Sequence, residues 1–103
     1  MDLTIMERMI AQQVLPNAGS FINLKLVRKA KEELSFSSDE IKKHNIKEVN
    51  GSITWTLSDY TKKFTFNSVI TDMIVNALKE LDKTEKLEER QFSLFEKFVT
   101  SDE

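Results

Sequence analysis

Apolar residues recur at helical spacing along most of the chain and alternate with polar ones around its middle. Ile5, Met6, Met9, Ile10 and Val14 form the first stripe, which predicts a helix over 5–14. Thr4 and Glu7 stand three apart at its start, the spacing of a capping box in which hydroxyl and carboxylate satisfy free backbone N–H groups. Pro16-Asn17-Ala18-Gly19 ends it, because proline disfavours helix at the residue before it. Ser20 then caps a second helix, roughly 21–34, with Ile22, Leu26, Val27, Ala30 and Leu34 as its stripe. Phe21 and Leu24 widen the apolar surface at its start. Arg28 with Glu32, and Lys29 with Glu33, stand four apart and can pair across one turn. Ser37 and Glu40 repeat the capping-box spacing ahead of a short helix through about His44.

Asn50-Gly51 is the strongest local signal, since both residues tolerate the positive φ of a two-residue type I′ turn. Placing them in the loop pairs Val49 with Ser52, Glu48 with Ile53, Lys47 with Thr54 and Ile46 with Trp55. Ile46, Ile53 and Trp55 then share a face that is expected to be buried, and Lys47, Thr54 and Thr56 take the other. Lys63-Phe64-Thr65-Phe66 alternates again and predicts a third strand near 62–66, because an isolated hairpin is marginal in water. Leu57 to Thr61 connects them. Asn67 or Ser68 caps the next helix, striped by Val69, Ile70, Met73, Ile74, Ala77, Leu78 and Leu81. After the polar interval 82–86, Leu87, Gln91, Leu94, Phe95, Phe98 and Val99 resume a helical face with Phe92 beside it. Thr84 is a candidate cap for this last helix. Two helices are preferred to one bent helix over 68–99, which would be about 45–50 Å long with an unpacked turn of Lys and Glu in its middle. The expected architecture is one α+β domain over 1–103, with four to five helices on a small antiparallel sheet and a frayed tail near 100–103.

Composition narrows the possibilities. Among 103 residues, 40% are hydrophobic and 31% charged, with two Gly and one Pro, which excludes collagen-like, low-complexity and wholly disordered chains. The net charge of −2 gives no overall pull toward nucleic acid or anionic membrane. Without cysteine there are no disulfides, thiolate nucleophiles or Cys-based metal sites. No apolar run approaches the roughly 18–20 residues of a membrane helix, so no membrane partner is expected. Asp2 stands where a signal peptide would carry Lys or Arg, which makes the cytoplasm the expected location.

Candidate chemistry is sparse. His44, the single histidine, lacks a nucleophile elbow and reads as a surface or boundary residue at a helix end. Glu85, Glu88 and Glu89 are the densest acids, interleaved with Lys86 and Arg90 as on a solvated face. Gly19 and Gly51 stand alone, so no phosphate-cradling loop is present. No catalytic residue, cofactor or metal is therefore expected. Lys25, Arg28, Lys29 and Lys31, joined by Lys42, Lys43 and Lys47, are the best candidates for contacting nucleic acid, and helices followed by a hairpin suit a winged helix. Glu32, Glu33, Asp39, Glu40 and Glu48 lie among these bases and argue against it. Phe92, Leu94, Phe95, Phe98 and Val99 spread over too wide an arc for one packing face. With Met6 and Met9, they are the expected contact for a protein partner or a second copy.

Several segments together carry a resemblance: Leu15-Pro16 with Gly19-Ser20-Phe21, Leu24 to Val27, Leu34 to Ser37 with Glu40-Ile41, Ile53-Thr54-Trp55, Leu78 to Asp82, and Ser93 to Phe98. In these the chain resembles small proteins encoded by phages and prophages of Gram-positive bacteria. The resemblance implies a phage setting, hence the host cytoplasm, and brings no activity or site residue with it. The function expected from the sequence is a non-enzymatic protein-protein interaction or assembly factor. The alternative is a small nucleic-acid-binding module using the basic second and third helices, and an enzyme ranks third.

Overall fold

The computed structural model describes residues 1–56 and 60–100. A short strand, β1 (Asp2–Thr4), runs directly into α1 (Ile5–Val14). Both halves of the capping box form there: the Glu7 N–H donates to Thr4 Oγ1 at 3.1 Å, and the Thr4 N–H to Glu7 Oε1 at 2.9 Å. Ser20 caps α2 (Phe21–Leu34), and the Ser37–Glu40 box opens α3 (Ser38–Lys43). The hairpin follows as β2 (Lys47–Val49) and β3 (Ser52–Thr54), then β4 (Thr61–Lys63). Asn67 caps α4 (Ser68–Lys83), accepting the Ile70 N–H at 2.9 Å. A 3₁₀ turn, Glu89–Gln91, leads into α5 (Phe92–Phe98).

The last two helices are separate, and Thr84 closes the first of them instead of opening the second. Its N–H donates to the Glu80 and Asp82 carbonyls and its hydroxyl to the Glu80 carbonyl, groups that a helix end leaves free. Glu85, at φ 59°, then turns the chain. Thr100, where the tail was expected to fray, donates its hydroxyl to the Glu96 carbonyl; 101–103 lie outside the described residues.

The expected hairpin register holds, with Val49 opposite Ser52, Glu48 opposite Ile53 and Lys47 opposite Thr54. Asn50 and Gly51 have φ of 51° and 80°, as the type I′ turn requires. The third strand, however, does not extend this sheet. β4 pairs antiparallel with β1, Leu3 opposite Lys62, giving two separate two-stranded sheets. Three residues of β1 are too few to show an alternation, so the pattern along the chain gives no sign of it. The hairpin consequently lacks the expected buried face: Ile53 remains 43% exposed, and Ile46 and Trp55 are only half-buried. It is tied down by backbone bonds from the Thr56 N–H to the His44 carbonyl and from the Ile46 N–H to the Ile41 carbonyl. Most of the expected connector, 57–59, lies outside the described residues.

One core gathers both ends of the chain. Leu3, Ile10, Ala11 and Leu15 meet Val27, Ala30 and Leu34 of α2, Ile70, Ile74 and Leu78 of α4, and Leu94, Phe98 and Val99. Phe64, just past β4, joins them.

Gly51→Val tests the turn. A Cβ at Gly51 would meet nothing within 4 Å, so the cost is conformational. It should be about 1–2 kcal/mol, the penalty of a left-handed backbone for an L-residue. Since the hairpin packs little of its surface on the core, the loss should appear first as faster amide exchange over 47–54, and only partly as a lower Tm. Unchanged exchange and Tm would contradict the turn assignment.

Candidate functional site

Two charged residues on α1 are buried side by side, Glu7 at 2% exposure and Arg8 at 0%. The inward face of α1 is therefore Glu7, Arg8 and Ala11 as much as Ile5 and Ile10, with Leu15 buried just past its end, leaving Met6 exposed and Met9 and Val14 half-buried. All three guanidinium nitrogens of Arg8 donate. Nη1 and Nη2 grip the two Glu40 oxygens at 2.6 and 3.1 Å, Nη2 also donates to the Ser35 carbonyl at 2.6 Å, and Nε to the Leu34 carbonyl at 3.2 Å. These carbonyls sit at the C-terminal end of α2, where a cation is favoured. The Phe36 ring lies 4.4 Å from the guanidinium carbon. Tyr60 donates its hydroxyl to Glu40 Oε2 at 2.6 Å, and the Ser37 N–H donates to Oε1 at 2.9 Å.

Arg8 holds the Glu40 carboxyl well below the usual carboxylate range; burial opposes this, and the Ser37 N–H and Tyr60 hydroxyl reinforce it. The hydrogen bond that Tyr60 donates to Glu40 in turn pushes the Tyr60 hydroxyl up, and burial and the Glu40 charge add to this. An acid so held stays an anion at neutral pH, and its proton is not available for transfer. The cluster is thus a clamp joining α1, the end of α2 and α3. His44 caps α3 at its C-terminus as expected, yet it is buried and not at the surface. Its ring stacks on Tyr60 with centroids 4.2 Å apart, and among the described residues its Nε2 has no hydrogen-bond partner.

Glu7 makes a second tie. Its Oε1 accepts from Lys97 Nζ at 2.6 Å, and Lys97 also donates to the Asp2 carbonyl at 2.8 Å, joining β1, α1 and α5. Burial pushes the Glu7 carboxyl up, but Lys97, the Thr4 N–H and Ser93 together bring it below its ordinary value.

A concave surface lies elsewhere, along α2. An open groove of about 600 Å³ is lined by Pro16, Phe21, Leu24 and Val27, with Lys25, Arg28 and Lys31 among its polar residues. Positions 21, 24, 28 and 31 follow the three-then-four spacing of one helix face. That face is apolar toward the start of α2 and cationic toward its end. Phe21 and Ile22 are 77% and 72% exposed, so Ile22 stands in water instead of in the core stripe. Lys31 Nζ reaches Asn17 Oδ1 at 3.0 Å across the α1–α2 connection. Among the described residues Lys25, Arg28 and Lys29 make no ion pair.

The expected C-terminal contact is largely dismantled. Leu94, Phe98 and Val99 are core residues and Phe95 packs half-buried against them, because α5 lies against both α1 and α4 and so has more than one face covered. Only Phe92, 59% exposed, and Met6, 39% exposed, still face water. Met9 lines a smaller cleft with Phe36 and Ile53. Of the basic residues, Lys25, Arg28 and Lys31 share the groove; Lys29 is exposed outside it, and Lys42 and Lys43 occupy the last turn of α3. Periodicity does not single out Arg8, whose one sequence signal is an arginine beside the apolar stripe of α1. The pattern marks Phe21 and Leu24 as apolar but does not show the groove they line with Pro16.

Among the described residues no group of three His, Asp or Glu side chains is placed to hold a metal ion, and no helix is long and apolar enough to cross a membrane. Compared with known proteins, the chain matches no family model, no curated protein and no solved structure. Fold and site together define a small α+β domain bearing an apolar groove with cations along one end.

Proposed function

We propose that this chain acts by binding protein, as a non-enzymatic interaction or assembly factor, with the first turn of α2 and its groove as the contact. The exposure of Phe21 and Ile22 beside an apolar groove carries this reading. Burying a side chain of either kind is worth about 1.5–3 kcal/mol, so two adjacent ones left in water beside a groove are a reserve that a partner can use. In the phage or prophage setting that the resemblance implies, the partner is a host or phage protein in the cytoplasm.

The competing reading, a nucleic-acid module, is supported by Lys25, Arg28 and Lys29, cations that make no ion pair among the described residues. It fits less well, because Glu32 lines the same groove and Glu33 is exposed on the same helix.

A photo-crosslinking residue at position 22 should capture a defined protein, whereas the same residue at exposed position 76 on α4 should not. The purified partner should then bind the Phe21→Ser/Ile22→Ser variant about tenfold or more weakly, with Tm unchanged. Equal affinity for the variant would overturn the assignment. So would submicromolar binding of duplex DNA that falls steeply with salt and is lost on Arg28→Glu/Lys29→Glu.

A further inference from the structure

The exposed residue at the start of α5 has the complementary chemistry to the groove on α2. Phe92 projects from the surface at 59% exposure. Glu89 precedes it by three residues in the 3₁₀ turn, where side chains three apart eclipse, and Glu96 follows it by four on α5. Both acids are exposed and, among the described residues, make no ion pair, whereas the neighbouring Arg90 is taken up by Glu88 at 3.0 Å. The result is an aromatic knob with a carboxylate on either side. The groove presents the opposite arrangement, with apolar Phe21, Leu24 and Val27 next to Lys25, Arg28 and Lys31, three cations against the one acid of its lining, Glu32. No residue of α5 lines the groove, so knob and groove occupy different places on one chain.

We propose that the α2 groove receives Phe92 of a second copy of this chain, with Glu89 and Glu96 facing Lys25 and Arg28. This rests on the reading of α2 as a protein contact and names its occupant. Each copy carries both a knob and a groove, so two copies that dock both at once close into a two-fold pair, and copies that dock one at a time run head to tail into rings or open chains. Opposite charges at an exposed rim make the association weaken as salt screens them.

Sedimentation at low salt tests this with three proteins. The average mass of the wild type should rise with concentration, and added salt should reverse the rise. Phe92→Ser, which keeps its groove, and Arg28→Glu, which keeps its knob, should each stay monomeric. Mixed in equal amounts, they should form a one-to-one complex of about twice the mass of one chain, because each supplies what the other lacks. Glu89→Lys/Glu96→Lys serves as a second knob variant that retains Phe92, and it should regain self-association when combined with Arg28→Glu and Lys25→Glu in one chain. A wild type monomeric at every concentration would overturn the proposal. Self-association surviving in Arg28→Glu, which marks an α5–α5 contact, or a mixture that stays monomeric, would do the same. If another protein still binds through Phe21 and Ile22 in those cases, the protein-binding reading stands and only the second copy is excluded.

Discussion

Arg8→Ala should lower stability by about 3–5 kcal/mol, the cost of removing one partner of a buried ion pair. The Glu40 side chain is only 11% exposed, and without the guanidinium its charge keeps, among the described residues, the Ser37 N–H and the Tyr60 hydroxyl. The Ser35 carbonyl loses the Arg8 Nη2 donor, and the Leu34 carbonyl keeps only the Gln12 amide at 3.3 Å. Arg8→Met/Glu40→Leu should recover a good part of the loss, because no unpaired charge remains. The same pair sets the acid limb. Glu40 is depressed below its ordinary value of 4.5, so its contribution is complete above that pH and is lost as the pH falls toward the folded-state value. Glu7 is depressed too and acts in the same direction. Wild-type stability should therefore fall steadily below about pH 5, and Glu40→Gln, destabilised at neutral pH, should show a flatter limb. Urea titrations at several pH values read both effects. An Arg8→Ala loss under about 1 kcal/mol, or parallel acid limbs, would mean that the clamp holds little.

The second large effect separates two phenylalanines of one helix. Phe98 is 1% exposed and meets Phe66 at 6.0 Å between ring centroids, while Phe66 stacks on Phe64 at 5.8 Å. Phe98→Ala should cost about 3–5 kcal/mol, lost burial plus the cavity left behind. From a total of roughly 5–15 kcal/mol, that leaves a marginal domain. Phe92→Ala, six residues earlier on the exposed side, should change stability by less than about 0.5 kcal/mol. Urea midpoints of the two variants give the comparison. Similar losses at both positions would contradict the placement of α5. A Phe98 substitution that removes self-association must accordingly be checked for unfolding before it is read as loss of an interface.

Much of the architecture was legible along the chain because it is decided by neighbours. Thr4 and Glu7, Ser37 and Glu40, and the Asn67 cap act across three residues, and Asn50-Gly51 acts within its own turn. Such groups satisfy backbone donors or supply positive φ whatever the rest of the fold does, so helix starts and hairpin register could be read directly. The candidate site was legible in its parts, apolar Phe21 and Leu24 followed by Lys25, Arg28 and Lys31, but not in its shape.

Tertiary structure decided what depends on residues far apart in the chain. Met1 bonds Phe64 across 63 residues, Arg8 holds Glu40 across 32, and Lys97 reaches Glu7 across 90. No local pattern announces that β4 will choose β1 over the hairpin, or that a charged pair will turn inward on α1. Those outcomes follow from competition for the same buried space, in which a charge enters only where its partner arrives from elsewhere. The wide apolar arc of α5 is likewise settled by whether one neighbour or two cover it, and here α1 and α4 both do. Residues close along the chain are enough to set the helices, their caps and the turn. Which faces meet, and which of Phe21, Ile22, Phe92 and Phe98 remain in water, was fixed only when distant segments closed on one core.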